Sequence, residues 1–511
     1  MLGDVRGGDD SVVDGGERGS ADQRRTSGGT RGGGGRDAPR GPGVPVRRNY
    51  GLTADELYFR LLGDEPRWGY FDQPPLTPLL AKAASMLFAD TVWGIRLAAL
   101  LCGVAVVVLA ALVAAELGGG RRAQVLASAA AGTSVTVLVA AHFLLTNSPD
   151  LVAWCAVALF ALRALLRGDG RWWLAAGATC GAATYAKYVI LLLPLTLLVA
   201  LLLVGPRREL RSRWLWAGAG LMLVISAPNL VYQAVNGWPQ LVMARSLAEG
   251  DWADRLLSPL EVAFLIGPAV APILVAGLAG LLRRPEWHPA RALAAAYLAG
   301  TVLVLAVAPS GIDYTEGYLV PLMAAGCVVA DRWFAQSRTR WPAAVAVMSV
   351  FALLQVVMIL PVAPERMFAR FPMTSLTTET IGWQRLAGQV ADAYAALPAD
   401  ERSRAVVLTR NFGEAGALNW MRAEHPLPQV YSGHNELYTW GPPPDTADVV
   451  ITVAADDDRL GRDFRECTAV ARIDNGHGLD TREQGRSISV CRGPRAPWAE
   501  LWPGYRLVGP Y

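Results

Sequence analysis

The stretch VWGIRLAALLCGVAVVVLAALVAAELGGGRR, residues 92–122, decides the fold class. The residues between Arg96 and Glu116 carry no charge at all, and about 20 helical residues suffice to cross a bilayer core of about 30 Å. The run closes in three glycines and an arginine pair, a tight turn followed by the basic flank that marks the inner side of a span. Reading outward, apolar segments recur at roughly 125–145, 150–166, 172–186, 188–204, 214–232, 261–282, 292–308, 317–330 and 342–361. The whole chain has 511 residues, 52% of them hydrophobic and 18% charged, with a net charge of +3. Soluble proteins carry about 25% charged residues. A cytosolic globular enzyme is excluded, and so is a nucleic-acid binder, which needs concentrated positive charge. About ten spans and a helical bundle over 92–361 are expected.

Arginine placement orients the spans. Arg121 and Arg122, Arg167 and Arg171, Arg207 to Arg213, Arg283 with Arg284 and Arg291, and Arg332 with Arg338 and Arg340 fall on alternate connections. The intervening HFLLTNSPD and PSGIDYTEG loops carry no arginine, and the longer connection between them carries Arg245 and Arg255. By the positive-inside rule, residues 51–91, the loops at Asp150 and Asp313, and everything after Pro361 lie outside. Lysine occurs only at Lys82 and Lys187, against 45 arginines. Lys187 falls at the outward turn of the 172–204 hairpin. A cation at membrane depth costs about 2.5–3.5 kcal/mol at mid-bilayer and less near the interface, so it either snorkels or faces a polar cavity or an anion.

The flanks differ in kind. Residues 1–50 are rich in Gly, Arg, Asp and Ser, lack the apolar run of a signal peptide, and are expected to be disordered. Residues 51–91 mix aromatic and apolar residues at helical spacing, broken by Pro74, Pro75 and Pro78, which suits a helix lying on the outer membrane surface. From 362 to 511 the composition becomes that of a water-soluble domain. Helical patterns over TETIGWQRLAGQVADAYAAL and around 412–424 alternate with strand-like runs AVVLT (405–409), QVYS, ADVVITVA, TAVARI and SISVC, which predicts a small outer α/β domain. Cys467 and Cys491 lie in its last two strand-like runs. They are either a disulfide of an oxidising compartment or two buried thiols. No C-x-x-C spacing is present, so no cysteine-based zinc site is expected.

Carboxylates gather on the outer connections: Asp55 and Glu56, Asp72, Asp150 at the start of a span, Asp313 and Glu316. Such a set suits acid/base work on a hydroxyl nucleophile, cation transport, or plain interfacial solvation. His142, near the outer end of a span, can bond a substrate or a neighbouring helix. Arg96 is either an interfacial anchor or an anion contact.

The motifs DELYF (55–59), GYFDQPPLTPLL (69–80), VWGIRLAAL (92–100), HFLLTNSPDLVAW (142–154) and ATYAKYVILLLP (183–194) together resemble glycosyltransferase family 39. That family has the integral-membrane GT-C fold and includes protein O-mannosyltransferases and the lipid A aminoarabinose transferase. The resemblance runs from about Leu52 to Pro361. The tail, with NFGEAGALNW, YSGHNELYTWGPPP and ARIDNGHG, resembles an outer domain of actinobacterial members. The resemblance implies a polyprenyl-phosphate sugar as donor and inverting transfer to an acceptor hydroxyl on the outer face of the cell membrane. The acceptor (glycan, lipid or protein) stays open. Asp55, with Glu56 beside it, maps onto the base, and Asp150 onto a second acidic position. Lys187 and Arg96 become the contacts to the leaving phosphate, and Tyr70, Asp72, Gln73, His142, Tyr314 and Tyr318 candidate substrate contacts. The resemblance supplies no firm cofactor, and a divalent cation bridging carboxylates and phosphate stays open.

The chain also departs from the family pattern. Gln73 stands where several relatives carry Lys or His, and the PSGIDYTEGYLVP loop is acidic where relatives often place a lysine before paired tyrosines. The family's helix ahead of the acidic pair has no counterpart in RGPGVPVRRNYG (40–51), so either the N-terminal segment is translocated, or the sequence does not begin at the natural start, or the protein is impaired. A lipid flippase or transporter, and a non-catalytic lipid-binding relative, are the rival readings. Transporters often show internal repeats, and none is found here.

Overall fold

The structure, a computed structural model, describes residues 50–247, 252–308, 312–362, 364–365 and 375–510. The expectations of disorder and translocation for residues 1–49 fall outside these. The chain is predominantly helical, with one five-stranded sheet near its C-terminus.

The first two helices, α1 (Ala54–Gly63) and α2 (Leu76–Leu87), precede the bundle. Its helices are α3 (Val92–Glu116), α4 (Arg121–Thr133), α5 (Val135–His142), α6 (Asn147–Arg167), α7 (Trp172–Ala183), α8 (Leu192–Leu203), α9 (Arg213–Val235), α10 (Pro239–Leu247), α11 (Trp252–Ile266), α12 (Ala271–Arg283), α13 (Arg291–Val307), α14 (Glu316–Phe334) and α15 (Arg340–Ile359). Five of the helical stretches, including α3, α6, α9 and α15, are long and apolar enough to cross a membrane, or up to seven if each bent pair is one span. The chain is a multi-pass membrane protein.

Several of the ten apolar segments are short or broken, and the breaks have physical causes. Segment 125–145 breaks at Ser134 into α4 and α5, bent by 65°. There the serine hydroxyl donates to the Ala131 carbonyl at 2.7 Å and accepts the Val137 amide at 3.4 Å, ending one helix and capping the next. Segment 261–282 is bent by 104° between α11 and α12, with Gly267 at φ +88° in the break. The hairpin 172–204 is built from helices of 12 residues each, too short to cross alone.

The buried core of the bundle centres on α3, α6 and α14. Leucines and valines on the outer faces, such as Leu101, Val104, Val302 and Leu353, stay exposed and form the lipid-facing surface. Small residues let backbones close up. A Cβ on Gly177 would lie 2.0 Å from the Gly218 carbonyl oxygen across the α7–α9 contact, and one on Gly326 would lie 1.9 Å from the Ile273 oxygen across α12–α14.

The C-terminal region carries α16 (Trp383–Ala395) and α17 (Phe412–Met421) with strands β1 (Ala405–Thr409), β2 (Val430–Ser432), β3 (Val449–Val453), β4 (Phe464–Arg472) and β5 (Ser487–Pro494). The sheet order is β2-β1-β3-β5-β4, parallel on the first side and antiparallel on the second. Cys467 faces Cys491 in register across β4 and β5, and the two form a disulfide. α1 does not lie on a membrane surface. Leu57, Tyr58 and Leu62 share one buried core with Leu386, Phe412, Leu418 and Ile451 of the C-terminal region. The Tyr58 and Phe412 rings stack at 4.4 Å.

Candidate active site

The polar residues named from the sequence separate into three groups. The first sits at the start of α1. Thr53 caps the helix in a capping box with Glu56, whose Oε2 accepts the Thr53 amide at 2.9 Å. Glu56 Oε1 accepts the Leu144 amide at 3.0 Å, and Arg96 Nη2 reaches Glu56 Oε2 at 3.4 Å and the Gly51 carbonyl at 2.7 Å. Glu56 is fully buried, and its oxygens are committed to holding α1 against the α5–α6 connection. Arg96 keeps Nε and Nη1 without partners among the described residues, and its guanidinium lies 5.2 Å from the centre of the Phe143 ring. His142 Nε2 is also buried and unpartnered. Asp55, one residue before Glu56, is half-buried. Burial, with Glu56 adding, pushes its carboxyl up to about 6, and Arg482 opposes. Glu379 of the C-terminal region, near enough to feel Asp55, is pushed up to about 7, chiefly by burial.

The second group surrounds Lys187. The lysine donates to Asn147 Oδ1 at 2.8 Å, and the Asn147 amide donates to Glu316. The Lys187 ammonium stands 5.4 Å from the centre of the Tyr314 ring. The carboxylates of Glu316, Asp313 and Asp150 lie close enough to act on its charge, yet among the described residues none makes a direct ion pair with it. Asp150, in the first turn of α6, accepts the Trp154 indole N–H at 3.0 Å on Oδ2, while its Oδ1 has no partner among the described residues. Arg96, His142, Asp150 and Lys187 thus meet on or beside the short connection 143–147. Leu144 ties to Glu56 and Asn147 to Lys187, and three residues of chain span at most about 11 Å. Asp55 is the chain neighbour of Glu56 and also feels Arg482 of the C-terminal region.

The third group ties the first connection to the C-terminal region. Asp72 accepts Tyr58 Oη–H at 3.1 Å and Asn435 Nδ2–H at 3.0 Å. Glu436 accepts the Phe71 amide at 2.7 Å and Arg67 at 2.9 Å. Burial raises Asp72 to about 7 despite these donors, and burial raises Glu436 too. Tyr70 is fully buried, with its hydroxyl donated to the Leu62 and Glu65 carbonyls. Gln73 is buried with Nε2 unpartnered among the described residues. Tyr318 lies in the bundle core, its hydroxyl bonded to Thr196 and its ring edge-on to Trp154 at 4.7 Å. Tyr70 and Tyr318 therefore hold packing positions, whereas Tyr314 faces Lys187. Asn147, Asn435, Glu436 and Tyr58 were not singled out from the sequence. Among the described residues no three His, Cys, Asp or Glu side chains are grouped to hold a metal ion.

The helical bundle with its C-terminal α/β region has the fold of the GT-C membrane glycosyltransferases. The crystal structure of ArnT from Cupriavidus metallidurans bound to undecaprenyl phosphate superposes with a TM-score of 0.58 at 18% identity, covering 88% of this chain and 96% of that one. Its apo form gives the same score over 91% and 96%. Residues 72–232 match the family described as dolichyl-phosphate-mannose-protein mannosyltransferase, so the resemblance to glycosyltransferase family 39 holds over that segment. It takes in Asp72, Arg96, His142, Asp150 and Lys187. A curated relative, undecaprenyl phosphate-alpha-4-amino-4-deoxy-L-arabinose arabinosyl transferase 1 of Pseudomonas fluorescens, is 29% identical over 197 residues. That match spans 37% of this chain and about a third (35%) of the relative.

Proposed function

We propose that this protein is a membrane glycosyltransferase that moves a sugar from a polyprenyl-phosphate donor to an acceptor hydroxyl, with inversion at the anomeric carbon. The observation that carries the reading is Lys187, a cation at the edge of the bundle held by a neutral partner and left without a direct counter-ion among the described residues. Such a group has charge to give to a departing phosphate. The acceptor oxygen attacks the anomeric carbon as its proton passes to a carboxylate. The bond from that carbon to the phosphate oxygen breaks, and the polyprenyl phosphate leaves with the electron pair. Asp55 is the base, poised near neutrality by burial, and Asp150 orients the acceptor through its free oxygen. Arg96, with two unpartnered nitrogens, is the second phosphate contact, and Glu56 holds it in place. His142, Gln73, Asp72 and Tyr314 line the approach. The active site and residues 375–510 face the extracytoplasmic side, opposite the basic connections.

The test is transfer of label from a panel of polyprenyl-phosphate sugars in membranes holding wild type, Asp55→Asn or Lys187→Met at equal levels. The proposal expects transfer by wild type and a loss of at least about 100-fold in either variant. Transfer that survives in Asp55→Asn removes the base assignment and keeps the class. No transfer from any donor, with tight polyprenyl-phosphate binding retained, leaves a lipid-binding or lipid-moving protein.

A further inference from the structure

We infer that the face carrying the basic connections holds a binding site for the headgroup of an anionic phospholipid, in an open cavity between the first turn of α4 and the α14–α15 turn. The cavity has a volume of about 600 Å³ and is lined by Arg121, Arg122, Val125, Phe334, Arg338 and Trp341 among others. It lies at the far end of α14 from Glu316. Over the 19 residues of that helix the separation is about 28 Å, so it is distinct from the Lys187 neighbourhood.

Four features point to a phosphate-bearing ligand. The side chains of Arg121, Arg122 and Arg338 make no hydrogen bond or ion pair among the described residues. Elsewhere on the same face, Arg163 and Arg167 share Glu116, and Arg284 and Arg332 share Glu286. Arg121 and Arg122 also stand in the first turn of α4, where the helix dipole is positive and disfavours a cation. The cap residue there is Gly120, which offers no side chain to the free amides of that turn. The Trp341 indole nitrogen is buried without a partner. Two unpaired cations at a helix N-terminus and a third from the α14–α15 turn, with an idle N–H donor beside them, form a site that an anion completes.

The surroundings favour a lipid over a soluble anion. Phe334 and Trp341 pack edge-on at 5.5 Å as an apolar floor, and Val125 in the cavity lining exposes apolar surface. α15, which starts at the cavity, is one of the helices long and apolar enough to span. A headgroup phosphate seated among the arginines would lay its acyl chains along these faces, as basic pockets between membrane helices do.

The test uses the full chain purified in detergent. Phosphatidylglycerol and phosphatidylcholine with identical acyl chains are titrated in, and retained lipid is read by native mass spectrometry. Expected is selective retention of phosphatidylglycerol, weakened about tenfold in Arg121→Gln/Arg122→Gln and in Arg338→Gln, with phosphatidylcholine unchanged. Arg208→Gln, on another basic connection, should behave as wild type. Equal weakening by Arg208→Gln, or undiminished retention in the cavity variants, overturns the site. Displacement of phosphatidylglycerol by millimolar inorganic phosphate overturns the lipid assignment in favour of a soluble anion. If the arginine variants fail to fold, Trp341→Phe, which removes only the ring N–H donor and some ring area, must still weaken phosphatidylglycerol selectively.

Discussion

Lys187 and Asp55 are asked to do different things, and two experiments separate them. Asn147 stands between Lys187 and Glu316, accepting from one and donating to the other. Asn147→Ala removes the spacer and lets the ammonium collapse onto the carboxylate, cancelling the charge proposed to meet the phosphate. The expected result is a fall in kcat of about ten- to a hundredfold, as for loss of one stabilising group, with the expression level and Tm close to wild type. Asp55 is held near 6 by burial and by Glu56, above its ordinary 3.8. A base must be unprotonated, so kcat/KM should rise with pH and level off above about 6. The measurement is a pH profile between 4.5 and 8, and a flat profile removes Asp55 as the base. Glu56 was read beside Asp55 as catalytic, yet its oxygens serve Thr53, Leu144 and Arg96. The signal for that role was in the chain, because Thr53-Ala54-Asp55-Glu56 is a capping box in sequence. Glu316 and Asn147 are 169 positions apart, and no local pattern reveals such a pair.

At the scale of elements, the membrane class was legible because burial in lipid demands long uncharged runs, and α3 with 25 residues is such a run. The bends were not, because hydropathy averages over the Ser134 and Gly267 breaks and sees one apolar segment where two helices meet at an angle. The strands were legible too: AVVLT, VYS and VVITV form β1, β2 and β3. The burial of α1 was not, since its apolar residues suit a lipid surface and a protein core equally well. The small-residue crossings make a direct test of packing. A Cβ on Gly218 would meet the Trp173 carbonyl oxygen at 2.2 Å, and that atom belongs to backbone. Gly218→Ala should force α7 and α9 apart and cost about 1–3 kcal/mol, read as a lower Tm in detergent. Gly220→Ala, on the same helix with open space at its Cβ, should cost nothing and favour the helix slightly. Equal behaviour of the two would show that α7 and α9 do not touch as described.

Over the whole molecule, α1, the connection after it and the C-terminal region form one core, and its polar contacts are mostly buried carboxylates. Asp72 and Glu414 are pushed up to about 7 and about 8, both chiefly by burial, and Glu436 is raised for the same reason. A carboxyl whose folded pKa exceeds its unfolded value stabilises the fold fully below the unfolded pKa. That contribution is lost as pH rises through the folded one. For Asp72 and Glu414 the loss therefore extends from about 4 up to about 7 and about 8. His434, lowered to about 4 chiefly by burial, has the opposite sign. Its contribution is complete above its ordinary 6.5 and disappears as pH falls through about 4. Between pH 6.5 and 8.5 the histidine is silent and the carboxylates act, so the unit should lose stability up to about pH 8 and level off above it. Thermal unfolding in detergent at half-unit steps checks the sign, and hydrogen exchange over residues 66–75 localises it to the docking contacts. Asp72→Asn keeps the shape and an acceptor oxygen but cannot ionise, so it should flatten the part of the slope near pH 7. A slope of the reverse sign, or one that Asp72→Asn leaves unchanged, would mean that these carboxylates keep their charge when docked. The joint between α1 and the C-terminal region would then be held by the Tyr58–Phe412 stack and the apolar core alone.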